Sequence, residues 1–186
     1  METKKTYRLW TFQSVDVIKE LKSKGIFQAS WARYSPTSYF PKSYRWMAKQ
    51  MAANNISCID CAPIWAWHSC EKYEKAPTLV DARCLLSDMD LQGGIQTIEF
   101  ECPAELVLLS TYGTWNMMLH DTFYPGEEDK IDRKTTSRLF ATERRKFRKY
   151  DSIQATLPYL KLAWVKEIRD LNLKPNDFDY NAEEEV

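Results

Sequence analysis

Hydrophobic and polar positions along this chain form short runs whose period changes often. Tyr7-Arg8-Leu9-Trp10-Thr11-Phe12 is short, aromatic and rich in β-favouring residues, which predicts a first strand. Ser14 then offers an N-cap for a helix over 15–24, in which Val17, Ile18 and Leu21 share one face at helical spacing, and Gly25 stands at the position after the helix end. The stretch 26–40, aromatic and serine-rich around Pro36, predicts irregular structure. Pro41 and Ser43 can start a second helix over 42–54, burying a face of Tyr44, Met47, Ala48 and Met51 with Trp46 near its edge.

Further along, 62–68 alternates like a strand that opens on a proline. Residues 71–92 have little periodicity and read as a connection, with Gly93-Gly94 as a turn. A clear strand follows over 95–102, with Ile98 and Phe100 on one side and Thr97, Glu99 and Glu101 on the other. After a turn at 103–105, a short buried strand is expected over 106–110 and a helical turn over 112–119 carrying Trp115, Met118 and Leu119. A charged loop (126–134), a basic helix (136–149) and strands over 152–157 and 163–170 complete the pattern. Short strands and helices in this irregular order predict an α+β fold rather than a βαβ repeat. With no repeat and no linker, residues 1–175 read as a single α+β domain and 176–186 as an acidic, frayed tail.

A chain of 186 residues is long enough to bury a core, and 44% hydrophobic with 28% charged residues is a globular balance. Twenty-six basic residues balance 26 acidic ones, so affinity for nucleic acid must come from a local patch. The N-terminal residues lack a signal-peptide apolar core, and no run approaches the roughly 18 apolar residues that span a bilayer. The expectation is a cytoplasmic protein without membrane contact. Five cysteines, an odd number, read as reduced thiols. Only five glycines exclude a glycine-rich phosphate loop as the organising element.

Three constellations could carry chemistry. Cys58-x-x-Cys61 with His68 and Cys70 offers zinc-type ligands, yet His68 and Cys70 share one face at the end of the predicted strand rather than forming a second half-site, so buried thiols and no metal are expected. Residues 130–149 hold nine lysines and arginines; Arg144, Arg145, Lys146, Arg148 and Lys149, interleaved with Phe147 and Tyr150, could track nucleic-acid phosphates or form a solvated helix face. Trp65 and Trp67, two apart on one strand, share a face and form either packed core or one wall of a ring-binding pocket. Trp10, Thr11 and Gln13 put polar groups beside another indole. With only His68 and His120, no serine or cysteine nucleophile has a recognisable histidine context.

Leu9 to Gln13 (L-W-T-F-Q), Tyr44 to Met47 (Y-R-W-M), Pro63 to Trp67 (P-I-W-A-W) and Ile98 to Ser110 with Trp115 beyond together resemble an uncharacterised bacterial family, DUF3841, which supplies no activity. A more distant resemblance is to the ADP-ribosyltransferase fold, especially its DNA-modifying toxin branch. It implies short mixed or antiparallel strands in a split sheet with flanking helices. In that fold a first strand carries a polar NAD-binding residue and leads into a helix ending at glycine, a second strand carries aromatics, and a late strand begins with the catalytic glutamate. The corresponding stretches here are Trp10 to Gln13, the helix before Gly25, Pro63 to Trp67, and Ile153 to Pro158. Trp10 stands where that fold has histidine or arginine, and Gln154 stands where it has glutamate.

The resemblance implies NAD as cofactor, held by Trp10, Thr11, Gln13, Tyr44, Trp65 and Trp67, with a ring of Trp65 or Trp67 stacked on nicotinamide and Gln154 at the ribose in the catalytic position. Breaking the nicotinamide–ribose bond creates an oxocarbenium-like centre that a fixed carboxylate stabilises. Glutamine keeps a hydrogen bond and supplies no charge, so Glu99, Glu101 and Asp151 are the alternative carboxylates. Three readings follow: a transferase modifying a nucleic acid or nucleotide; an inactive module on the same fold that binds a nucleotide or a protein partner such as an antitoxin; or a nucleic-acid-binding protein resting on 130–150.

Overall fold

The first helix shows how local chemistry sets the boundaries. In a computed structural model describing residues 5–34, 38–58, 60–143 and 152–171, Ser14 is extended and its Oγ accepts the Val17 N–H at 3.4 Å. This caps α1, Val15–Lys24, with Asp16 in the first turn and Lys22 and Lys24 in the last, each sign matching the helix dipole. Gly25 ends the helix at φ 73°, in the left-handed region, and its N–H returns to Leu21 O.

Among the described residues the strands are β1 (Thr6–Ser14), β2 (Ile26–Phe27), β3 (Ile64–Ser69), β4 (Ile95–Pro103), β5 (Leu108–Thr111), β6 (Ile153–Leu157), β7 (Leu160–Lys161) and β8 (Val165–Asp170). Six form one sheet in the order β5-β6-β3-β1-β4-β8, and β2 pairs with β7 in a separate ribbon. Each pairing is antiparallel. The other helices are α2 (Phe40–Ala53), α3 (Leu79–Leu85), α4 (Asp88–Gln92), α5 (Tyr112–Met118) and α6 (Arg133–Leu139). The protein is a single α+β domain.

The sheet is buried on both faces. Leu9 of β1, Ile64 and Ala66 of β3, Ile98 and Phe100 of β4 and Ala155 and Leu157 of β6 point to one side, where Val17, Ile18 and Leu21 of α1 close the main core. On the opposite face, Trp65 and Leu108 meet Met47 of α2, Trp115 and Met118 of α5, Leu139 of α6, and Phe123 from the turn after α5. Register places Glu99, Trp10, Trp67, Gln154 and Ser110 opposite one another on successive strands, so five side chains cross that face in one row.

The joint between the two halves of the sheet is narrow. β1 pairs with β4 along its whole length, whereas among the described residues it pairs with β3 at one position, Trp10 opposite Trp67. Beyond that pair the Thr11 hydroxyl donates to the Trp65 carbonyl at 2.7 Å, a side chain standing in for a ladder bond. The six strands are thus continuous, with a seam between β1 and β3.

Several sequence expectations are corrected. Residues 71–92 contain α3 and α4, each opened by a capping box: Thr78 with Asp81, and Ser87 with Asp90. The second helix begins at Phe40, with Pro41 in its first turn. Of the basic helix expected over 136–149, residues 144–149 lie outside the described residues, and α6 spans Arg133–Leu139; the Asp132 carboxylate, accepting the Thr135 N–H at 2.6 Å, starts it inside the expected loop. The face of β4 carrying Thr97 and Glu99 is buried too, and only Glu101 faces solvent as the alternation predicts. The tail 176–186 lies outside the described residues.

Candidate functional site

Where β1 and β3 part company, a cavity of about 510 Å³ opens against the seam. Gln13 lines it from the end of β1, Trp65 and Trp67 from β3, Gln154 from β6, and Tyr44 from α2. Three stretches distant in sequence, near residues 10, 63 and 153, therefore meet at one hollow. The volume is within the range of small-molecule sites, and the wall mixes aromatic surface with a few neutral amides, the usual composition of a ligand pocket.

Trp10 and Thr11, expected beside the ligand, are not on the wall. Trp10 is 1% exposed: its ring packs with Trp67 and Cys70, and its indole N–H donates to Glu99 Oε2 at 2.9 Å. Covered by these side chains, the Trp10 ring has no surface left for a ligand. Thr11 is equally buried, and its hydroxyl links Trp65 O to the Gln13 side chain, whose Nε2 donates to it at 2.8 Å. Thr11 thus positions Gln13 and holds the seam.

The aromatic wall is assembled from rings the sequence kept apart. Trp65 packs against Tyr44, at 5.1 Å between centroids, and Trp115, at 4.8 Å, both tilted. The Trp65 Nε1 is buried without a hydrogen-bond partner, and a donor left so costs about 1–3 kcal/mol. Trp67 meets Tyr112 edge-on at 5.0 Å. Burial above all, then the neighbouring Tyr34 and Tyr39, pushes the Tyr44 phenol well above its ordinary value, so it stays a neutral hydroxyl. Asn116 and His120, on α5 and the π-turn Leu119–Phe123 that continues it, and Tyr34, Tyr39 and Tyr112 also reach the wall. Only tertiary packing brings these together with β3, and no local pattern marks them.

Gln154, in the position of the expected catalytic glutamate, is 5% exposed and lines the cavity, with Nε2 donating to Ser110 Oγ at 3.1 Å. Among the described residues no carboxylate lines the cavity. Glu99 shares the face of Gln154, but Trp10 and Trp67 stand between them. Its carboxylate is already engaged by Arg8 (Nη2 at 2.6 Å), Trp10 and Arg169 (3.5 Å). Glu101 is exposed and paired with Lys166 at 2.9 Å. Neither lines the cavity. Asp151 and the basic residues Arg144, Arg145, Lys146, Arg148 and Lys149 lie outside the described residues.

The cysteine and histidine cluster separates in space. Cys58 and Cys61 are adjacent thiols at the approach to β3, whereas His68 is buried between Tyr7 and Tyr73 and bonded to Ser69 Oγ at 2.8 Å. Among the described residues the five cysteines are free, and no group of three or more His, Cys, Asp or Glu could hold a metal ion. No helix there is long and apolar enough to cross a membrane.

A family model described as "Domain of unknown function (DUF3841)" matches residues 8–167. The chain belongs to this family. No curated protein and no solved structure matches it.

Proposed function

We propose that this DUF3841 protein binds NAD, or the ADP-ribose part of it, in the cavity beside the β1–β3 seam, on the plan of an ADP-ribosyltransferase. The observation that carries the reading is the convergence of Gln13, Trp65, Trp67 and Gln154 on one hollow at the point where the sheet is least joined. Supporting it, the amides of Gln13 and Gln154 suit ribose hydroxyls and a carboxamide.

Chemistry at the site is the second part of the proposal. Gln154 would hold a ribose hydroxyl while nicotinamide departs and a nucleotide or nucleic acid accepts the ADP-ribose. The lack of a carboxylate among the described wall residues favours instead a module that binds without turnover. Losing such an electrostatic partner typically costs about a hundredfold to a thousandfold in rate.

Thermal unfolding with NAD, ADP-ribose and nicotinamide tests the binding reading. A ligand at about a hundred times its Kd should stabilise the fold by about 2.7 kcal/mol. Nicotinamide release then separates the two versions: the transferase releases it, and the binding module does so only after Gln154→Glu. If saturating NAD and ADP-ribose both leave the melting temperature unmoved, the site is not a nucleotide site.

A further inference from the structure

The Cys58-x-x-Cys61 pair has no part in the nucleotide reading, yet the fold brings it to a reactive arrangement. The two Sγ atoms lie 3.1 Å apart. Asp60, directly before Cys61, adopts φ 59°, in the left-handed region. Cys58 is half-buried and reachable from solvent, whereas Cys61 is buried, with its Sγ 3.4 Å from the Pro158 carbonyl. One thiol is thus open to a reagent and the other waits behind it, the division of labour that disulfide exchange requires.

We propose that Cys58 and Cys61 form a dithiol modification site, which closes to an internal disulfide by exchange with a small disulfide such as oxidised glutathione. The Cys58 thiolate attacks one glutathione sulfur, forming a mixed disulfide and expelling one glutathione thiolate. The Cys61 thiolate then attacks Cys58 Sγ, closing the internal bond and expelling the second glutathione. The protein dithiol is oxidised, glutathione disulfide is reduced to two thiols, and the two cysteine protons pass to the departing thiolates. Burial and the Cys61 hydrogen bond push the Cys58 thiol up, so attack is slow, but the same effect withholds stabilisation from the thiolate and makes the closed disulfide hard to reduce.

The bond would form next to the cavity. Ala62, directly after Cys61, donates its N–H to Ala29 O at 2.7 Å, and Ala29 and Pro63 both line the cavity. The site itself stands on the two thiols alone and not on what the cavity binds.

The test uses the full wild-type chain. It is incubated with oxidised glutathione, unfolded in denaturant, alkylated with N-ethylmaleimide and digested for peptide mass spectrometry. The expected result is a peptide holding Cys58 and Cys61 that carries no alkyl group and is lighter than the dithiol by two hydrogen atoms. Cys70 and Cys102 should be recovered fully alkylated, and dithiothreitol before unfolding should restore two alkylated thiols at Cys58 and Cys61. In Cys61→Ser, Cys58 should instead stop as the glutathione adduct. Exposed Cys84 reports whether the oxidant reached the protein. If Cys84 is modified while Cys58 and Cys61 are both recovered alkylated, or while wild-type Cys58 stops as a glutathione adduct, the proposal is overturned.

Discussion

Replacing Thr11 with valine keeps the shape of the side chain and removes one oxygen, so it isolates what the hydroxyl does at the seam. That hydroxyl donates to Trp65 O at 2.7 Å and accepts from Gln13 Nε2 at 2.8 Å. A net hydrogen bond is worth about 1 kcal/mol, and a buried acceptor left without its donor costs about 1–3 kcal/mol. Because the contact at Trp65 is part-buried, the lower part of that range applies. Gln13 can turn to water and loses little. The sum is a destabilisation of about 2 kcal/mol, which in a domain of this size lowers the melting temperature by roughly 4–8 °C. Thr11→Ser keeps the hydroxyl and loses one methyl, about 1 kcal/mol. Thermal unfolding followed by near-ultraviolet circular dichroism ranks wild type above Thr11→Ser above Thr11→Val. A valine variant as stable as wild type, or more stable than the serine variant, would refute the bridging role.

Two further outcomes follow from single groups. Burial holds the His68 imidazole below its ordinary value, reinforced by Lys5 and opposed by Glu74. The unfolded chain therefore takes up a proton first, and stability falls as pH drops through about 6.5, levelling off only below the folded-state pKa. Urea unfolding midpoints between about pH 7.5 and about pH 5 should drop on acidification and drop less in His68→Gln; a wild-type midpoint that rises would contradict this. Gly25→Ala meets no neighbour within 4 Å of the new Cβ, so its cost is the left-handed backbone alone, about 1 kcal/mol by urea unfolding, and no loss would mean α1 ends differently.

Much of the fold is legible in local chemistry. Ser14, the 17–18–21 face and Gly25 fix α1, and the alternation around Ile98 and Phe100 fixes β4. The short helices after His68 carry their signal as well, in Thr78 with Asp81 and Ser87 with Asp90, although five to seven residues are too few for an apolar period to emerge. A charge run says less: between 130 and 143 it crosses a 310 turn, α6 and an irregular segment, because charge on a surface fixes no backbone. The site divides the same way. Spacing on β3 puts Trp65 and Trp67 on one face, but whether an indole borders a hollow or fills the core is decided by what packs over it. Trp10, packed against Trp67 and Cys70, went to the core. Trp65 borders the cavity beside Tyr44 and Trp115, which come from elements far away in sequence and pack against its ring.

Nitrogen-correlated NMR of the indole N–H groups tests the cavity reading most directly, since the seven tryptophans report from different parts of the fold. Titration with NAD should move the Trp65 resonance most and those of Trp67 and Trp115 with it. Trp164, stacked on Tyr159 away from the cavity wall, should stay in place. A spectrum in which saturating NAD leaves the Trp65 and Trp67 signals unchanged would contradict the assignment of this hollow as a nucleotide site.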